Sequence, residues 1–363
     1  MEENCLLDMA HSLNNAFASV QKIYYPSLCA IGIPANLLTV YTIHCRKCGM
    51  SKIARLYLIS LAIADTLCLF WGGLIDLSLV WLDPSPFWNS SPWCGLVTVL
   101  EYGSIFSSIW IVIVFTLERY LVLRSTQARQ HCSQTKVTIR IILSVILVSH
   151  LVALPTYWIH SSELRNFTLH NKTLRLPVCD YNDRFYSTAV VWFHTFISGG
   201  IPYILIILFN CLISQQLYAA TRMFTQEQLK SISGITVRGL AKKSILILFA
   251  VSFTFVFLSL PRFVTYCILR TAYNTPKHDR NDYSQPINLF ADIAIMLQWL
   301  NFAINFLLYC AVSKHFRKEF FLVLTCRRGD SKTPISHTPL KVYSVLTPAV
   351  HQPEVSAMIL DQL

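Results

Sequence analysis

The amino-acid sequence predicts an all-α membrane protein, a seven-transmembrane helix bundle followed by a short amphipathic eighth helix. Two observations carry that prediction. Of 363 residues, 54% are hydrophobic and only 13% are charged, too few charges to clothe a water-exposed surface of ordinary density. Much of the surface must therefore face lipid. Seven separate stretches are also long and apolar enough to cross a bilayer as helices, which takes roughly 20 residues each. A membrane barrel would show short alternating segments instead, and an open strand cannot cross because its backbone groups would go unpaired.

The spans run from Tyr24 to His44, Leu56 to Trp81, Leu96 to Leu121, Val137 to Trp158, Val190 to Leu217, Ile245 to Leu269 and Ile287 to Val312. The third and seventh carry polar interruptions. Residues 24–312 thus form the bundle, preceded by an amino-terminal segment of residues 1–23. That segment opens on the acidic Met1-Glu2-Glu3-Asn4-Cys5, which lacks the basic region and apolar core of a cleavable signal peptide. The first span is expected to serve as the targeting signal.

Charge between the spans sets the orientation. The gaps holding Arg46, Lys47, Lys52 and Arg55, then Arg124, Arg129, Lys136 and Arg140, then Arg222, Lys230, Arg238, Lys242 and Lys243 are basic, whereas Asp83 to Trp93 holds no Lys or Arg. Basic gaps stay in the cytoplasm. The amino terminus is therefore expected outside the cell, with the chain crossing the plasma membrane several times. Three Asn-x-Ser/Thr acceptors, Asn89, Asn166 and Asn171, fall on that outer side, where glycosylation occurs. The net charge of +11 follows from this bias and from attraction to anionic membrane lipid, and needs no nucleic-acid partner.

Most of the 12 cysteines lie in or beside apolar helices, as small core residues. Cys94, at the outer end of the third span, and Cys179, in the outer loop between the fourth and fifth, face the oxidising side and form the favoured disulfide. Cys5 lies outside as well and is a competing partner. The pair in Cys45-Arg46-Lys47-Cys48 stands alone in a short cytoplasmic loop, a poor setting for a redox or zinc site.

Ionisable side chains within spans are costly and turn toward the bundle interior. Here they are Asp65, Asp76, Glu101, Glu118, Arg119, Arg262 and Asp292. Eighteen residues, five helical turns, separate Glu101 from Arg119, so both lie on one face about 27 Å apart. An acid near the outside and a base near the inside suit a ligand site linked to a cytoplasmic site. The plainer reading is that Glu101 pairs with Arg262 and ties the third span to the sixth.

Seven elements then occur in order, each in its proper span: Asn36 in Gly32-Ile33-Pro34-Ala35-Asn36; Leu61-Ala62-Ile63-Ala64-Asp65; Cys94 with Glu118-Arg119-Tyr120; Pro202; Pro261; Asn305-Phe306-Leu307-Leu308-Tyr309; and the amphipathic Phe316-Arg317-Lys318-Glu319-Phe320-Phe321. From about Pro26 to Cys326 the chain resembles the rhodopsin-like (class A) G-protein-coupled receptors. The resemblance implies that Glu118 holds Arg119 at rest, that Arg119 turns toward a heterotrimeric G protein on activation, and that Tyr309 swings inward. It implies that Ile109, Pro202 and Phe255 form a packing trio rearranged between pocket and cytoplasm. It also implies a polar cluster of Asp65, Ser108, Asn301 and Asn305, which holds a sodium ion in many members, oxygen ligands at a buried carboxylate suiting a hard cation. Phe306 stands where most members have proline, Ser259 where they have tryptophan, and the usual tryptophan of the fourth helix is missing.

A narrower resemblance lies in Val99-Leu100-Glu101-Tyr102, Ser108-Ile109-Trp110-Ile111, Pro155-Thr156-Tyr157-Trp158, Pro261-Arg262, Asp292-Ile293-Ala294 and Ala303-Ile304-Asn305-Phe306. These look like the small group of orphan receptors that respond to tryptophan and phenylalanine, in which Glu101, His194 and Arg262 correspond to pocket positions. An amino acid presents an ammonium to Glu101, a carboxylate to Arg262 and a ring to neighbouring aromatics. The bland reading of His194 is a helix-to-helix hydrogen bond. That of Tyr102, Trp158 and Trp299 is packing.

After Val312, residues 313–326 place Phe316, Phe320 and Phe321 on one face with Lys314, Arg317 and Lys318 around it, as for a helix lying on anionic lipid. Cys326 is a palmitoylation candidate. Residues 327–363 have no periodic core and are expected to form a disordered cytoplasmic tail. Its Thr333, Ser336, Thr338, Ser344 and Thr347 are phosphate acceptors through which a receptor kinase and arrestin would act.

No nucleophile with its base, metal-ligand run or phosphate loop occurs, so neither enzymatic activity nor a cofactor other than that sodium is expected. The competing function is a transporter or channel, which would favour inverted repeats or Gly-rich broken helices. The expectation is a receptor that takes an extracellular small-molecule, amino-acid-like or peptide agonist and activates a G protein through movement of its sixth helix.

Overall fold

A computed structural model of the chain describes residues 2–46, 48–77, 86–132, 134–169, 172–182, 185–222, 236–275, 278–280 and 282–325. Asn171, Cys326 and the segment 327–363 with its phosphate acceptors lie outside the described residues, as do Lys47, Asp83 and Lys230.

Six helices are long and apolar enough to span: Ala16–Cys45, Lys52–Ile75, Trp93–Arg124, Thr135–Ile159, Ser187–Ala219 and Ile245–Thr271. The seventh span is a pair, Pro286–Ala303 and Asn305–Val312, bent by 56° at Ile304. Each predicted span thus has its helix, mostly with ends a few residues further out. The first is longer still, because its helix starts at Glu2, within the segment read as an amino terminus before the bundle. No Gly or Pro precedes Pro26 to interrupt it. Tertiary contacts hold it too: the Phe17 ring meets Tyr283 at 4.9 Å and the Tyr24 hydroxyl donates to the Met296 carbonyl at 2.7 Å.

Local chemistry explains several boundaries. Ser51 caps the second span by accepting from the Ala54 amide at 3.2 Å, satisfying a donor that the helix itself cannot. Pro286 sits in the first turn of the seventh, where its missing N–H costs nothing. In the second span the helix widens to a π segment over Leu69–Ile75. A Cβ on its Gly72 would stand 2.0 Å from the Trp299 ring and 3.0 Å from Glu101 Oε1. Only glycine lets these side chains of the third and seventh spans approach there.

The third span is the most enclosed and the fourth among the least. The fourth turns Leu143, Leu147 and Leu151, each more than half exposed, to one outward face. Their four-residue spacing makes a continuous apolar stripe, sensible only against hydrocarbon.

One element went unforeseen. The connection after the fourth span forms an antiparallel hairpin, β1 (His160–Leu169) and β2 (Lys172–Tyr181), with Ser162 opposite Cys179. Cys179 is disulfide-bonded to Cys94, so the favoured pairing is the one present, and it pins the hairpin to the third span. Alternation of Leu174, Leu176 and Val178 is the period-two signal that marks β2.

An eighth helix follows, Lys314–Leu324, capped where Ser313 accepts from the Phe316 amide. Phe316 and Phe320 are buried, Phe320 stacking on Phe306 at 5.7 Å and Phe316 meeting Tyr309 edge-on at 5.6 Å. Phe321 departs from the predicted shared face and is 52% exposed. One residue after Phe320, it is rotated by about 100° around the helix.

Candidate functional site

At the end of the bundle opposite the disulfide, Arg119 Nε donates to Glu118 Oε2 at 2.6 Å, both residues being buried. Glu118 Oε1 has no partner. The guanidinium also lies 5.4 Å from the centre of the Phe115 ring, which stacks on Tyr57 at 4.9 Å. Tyr120 stacks instead on Phe209 of the fifth span, at 6.1 Å. Tyr309 is wholly enclosed, and its hydroxyl, like that of Tyr57, makes no hydrogen bond among the described residues. An arginine held by a single carboxylate oxygen, near Tyr57 whose hydroxyl lacks a partner among the described residues, is a set of groups that gains hydrogen bonds by moving.

Midway along the bundle, Asp65 is fully buried. Its Oδ1 accepts from Ser108 Oγ at 2.5 Å and its Oδ2 from Asn305 Nδ2 at 2.6 Å. Asn301, one turn before Asn305, is buried nearby in the seventh span. Asn36 donates to the Phe302 carbonyl at 2.8 Å, securing the first span to the seventh. Spans one, two, three and seven are thus joined by side-chain hydrogen bonds at one depth. Ile109, Pro202 and Phe255 are all buried, on the third, fifth and sixth spans, with Tyr203 against Phe255 at 5.6 Å.

At the disulfide end, a cavity of about 680 Å3, its open mouth included, is lined by Tyr102, Phe106, His194, Tyr203, Arg262 and Gln298, among others. Its aromatic wall and few convergent polar groups suit a small organic ligand. Arg262 donates to Gln298 Oε1. His194 Nε2 donates to the Val152 carbonyl at 2.9 Å, which fixes the ring against Phe106 at 5.2 Å and Tyr102 at 5.9 Å. His194 therefore satisfies both readings given to it, a helix-to-helix bond and a place on the cavity wall.

Of the three residues expected to bind ligand, His194 and Arg262 are brought together and Glu101 is not. Glu101 is buried against Gly72 and Trp299, facing the second and seventh spans. Tyr102, one position further round the helix, takes the cavity wall instead, although it had been assigned to packing. Trp299 does pack, while Trp158 points out of the bundle. Nor does Glu101 touch Arg262 as an ion pair among the described residues: Gln298 stands beside the guanidinium, although the charge of Arg262 still acts on Glu101. Gln298 was missed because an uncharged side chain in an apolar span gives little signal. Asp292 pairs with Arg280 and accepts from the Tyr283 hydroxyl, an arrangement legible only once the connection between the sixth and seventh spans is folded.

Of the glycosylation acceptors, Asn166 is exposed on β1, but Asn89 is enclosed at 3% exposure in a short 3-10 turn. That packing leaves no room for a glycan on Asn89.

Comparisons with known proteins agree with this geometry. A mouse protein described as probable G-protein coupled receptor 142 is 28% identical over 302 residues, covering 81% of this chain and 70% of that one. Rat somatostatin receptor type 5 is 25% identical over 316 residues, covering 86% and 80%. The C5a anaphylatoxin chemotactic receptor 1 of Oncorhynchus mykiss is 23% identical over 302 residues, covering 82% and 78%. The sequence profile of the 7 transmembrane receptor (rhodopsin family) matches residues 35–309, from within the first span to within the seventh. The chain therefore belongs to the rhodopsin family of 7 transmembrane receptors: it is a multi-pass G-protein-coupled receptor, and not an enzyme, transporter or channel.

Proposed function

We propose that this receptor lies in the plasma membrane with its disulfide end outside and responds to a small amino-acid-like agonist bound in the cavity between Arg262, His194 and Tyr102. One observation carries the reading. Arg262 enters an aromatic-walled cavity with a neutral amide, Gln298, as its partner, so its charge is available to a carboxylate. Rings from Tyr102, Phe106 and Tyr203 supply the apolar and quadrupolar surface for an aromatic side chain. Glu101 stands one helical position behind that wall, against Gly72, and is not among the residues lining the cavity.

Agonist binding would favour the state in which the cytoplasmic half of the sixth span, hinged near Pro261, moves outward and frees Arg119 from Glu118 for a heterotrimeric G protein. Asp65 fits a cation because it is buried with no cationic side chain paired to it among the described residues. Asp65, Ser108, Asn301 and Asn305 would hold sodium there, and the ion would supply charge compensation in the resting state. Arrestin and a receptor kinase would act on the tail, and lipid would receive the eighth helix.

A peptide agonist is the second reading, favoured by the names of the somatostatin and C5a receptors among the relatives. The two are separated by applying tryptophan and phenylalanine to cells expressing the full chain and following calcium and cyclic nucleotides. Arg262→Ala is expected to lower potency at least tenfold with surface expression unchanged, while Arg119→Ala silences signalling without loss of binding. Undiminished potency in Arg262→Ala would remove the amino-acid pocket.

A further inference from the structure

Beyond the inner cavity a second one opens between the disulfide-end halves of the sixth and seventh spans. It encloses about 1030 Å3, its open mouth included, and Arg262, Arg270, His278 and Arg280 stand on its wall. Arg262 lines both cavities, so they adjoin at that side chain.

The cations here are unequally compensated. Asp292 pairs with Arg280, and Asp282 is the acid whose charge reaches His278. Neither Arg262 nor Arg270 has a carboxylate at ion-pairing distance among the described residues. Arg270 instead lies over the rings of Tyr181 and Tyr266, at 5.3 and 5.5 Å. Tyr181 ends β2, two residues after the Cys179 that is bonded to Cys94. The hairpin, tied down by that bond, thus helps to fix the Arg270 guanidinium. Aromatic faces orient a guanidinium without neutralising it, and a planar fork so held receives an oxyanion at little further ordering cost.

We infer that this second cavity is an anion-accepting vestibule, which takes a carboxylate on the part of the agonist that projects beyond Arg262. Eight residues separate Arg262 from Arg270, about 12 Å along a helix. Two arginine side chains reaching inward from that separation would hold the two acidic groups of an acidic dipeptide, whose backbone spans about 7 Å. Within the amino-acid-like class, the vestibule therefore favours an acidic dipeptide with an aromatic end, held more tightly than the bare aromatic amino acid. This rests on the inner cavity being the agonist site.

The test uses full-length receptor in nanodiscs of uncharged lipid, with thermal stabilisation read against concentration for Glu-Trp, Gln-Trp and glutarate. Glu-Trp is expected to bind about tenfold tighter than Gln-Trp, the size of one charge-assisted hydrogen-bonded contact. Arg270→Gln should erase that difference while leaving Gln-Trp unchanged, and Arg270→Lys should retain part of it, which separates lost charge from lost folding. If the wild type does not distinguish the two dipeptides although both bind, the vestibule is refuted. If neither dipeptide binds but glutarate stabilises in a manner that depends on Arg270, the vestibule stands and the aromatic pocket falls. If glutarate fails as well, both fall.

Discussion

Asn305, the residue at which the seventh span resumes after its bend, donates to Asp65 of the second span across 240 positions of chain, at 2.6 Å. Ser108 takes the other oxygen of the same carboxylate. A buried carboxylate with two donors on two other helices fixes the relative position of three spans, and loss of either donor leaves an oxygen unsatisfied.

Asn305→Ala is accordingly expected to cost roughly 1–2 kcal/mol, the range for interhelical and charge-assisted hydrogen bonds in membranes. Asp65→Asn should cost less together with Asn305→Asp than on its own, because the exchange restores a donor and an acceptor. Thermal unfolding of the purified receptor gives the four values of that cycle. Additive effects would mean that the contact does not couple the spans.

Gly72→Ala should be among the most damaging single-methyl additions in the bundle. The added carbon would stand 2.0 Å from Trp299, itself buried at 3% exposure, and overpacking of this kind costs typically 1–3 kcal/mol. Adding Trp299→Phe to the variant should recover much of the loss, measured as surface expression and melting temperature. Wild-type behaviour of Gly72→Ala would show that the second span does not approach the seventh as described.

At the hairpin's base, His160 follows the fourth span and is held below the ordinary imidazole value of 6.5, first by burial, with the hydrogen bond to the Thr156 carbonyl acting against it. Above that value both folded and unfolded states are neutral there and no penalty arises. As pH falls below it, the unfolded chain takes up the proton first, so stability declines from about pH 6.5 downward. Melting temperatures at pH 7.5 and 5.5 should differ less in His160→Gln than in the wild type. An identical difference in both would exclude His160 as a source.

The helices were legible because twenty apolar residues in a row have few other uses, and the polar residues inside them because lipid makes each one costly. Which residues meet was legible where a motif fixes the partner, as for Cys94 with Cys179 or Arg119 with Glu118. It was not legible for Glu101. Its depth and its inward face were readable from helix periodicity, yet one residue step, about 100°, decides between the cavity and the space behind Trp299. That step is set by how the third span packs on its neighbours, which periodicity does not reveal. The hairpin was missed for a related reason: the alternation of Leu174, Leu176 and Val178 marks β2 alone, and β1 carries no matching apolar pattern to name its partner.

At Ile304 the seventh span turns its 56° corner without a prolyl ring to enforce it, since Phe306 occupies the position where proline is usual and keeps its backbone N–H. The Ile304 carbonyl accepts from both Leu307 and Leu308 there, at 2.9 and 3.3 Å, a shared bond between two helical registers. The angle is thus upheld by non-covalent company alone: Asn305 anchored on one side, Phe306 clasped by Phe320 on the other. The corner therefore couples two distant parts of the fold, the buried carboxylate of the second span and the aromatic face of the eighth helix, through two adjacent residues.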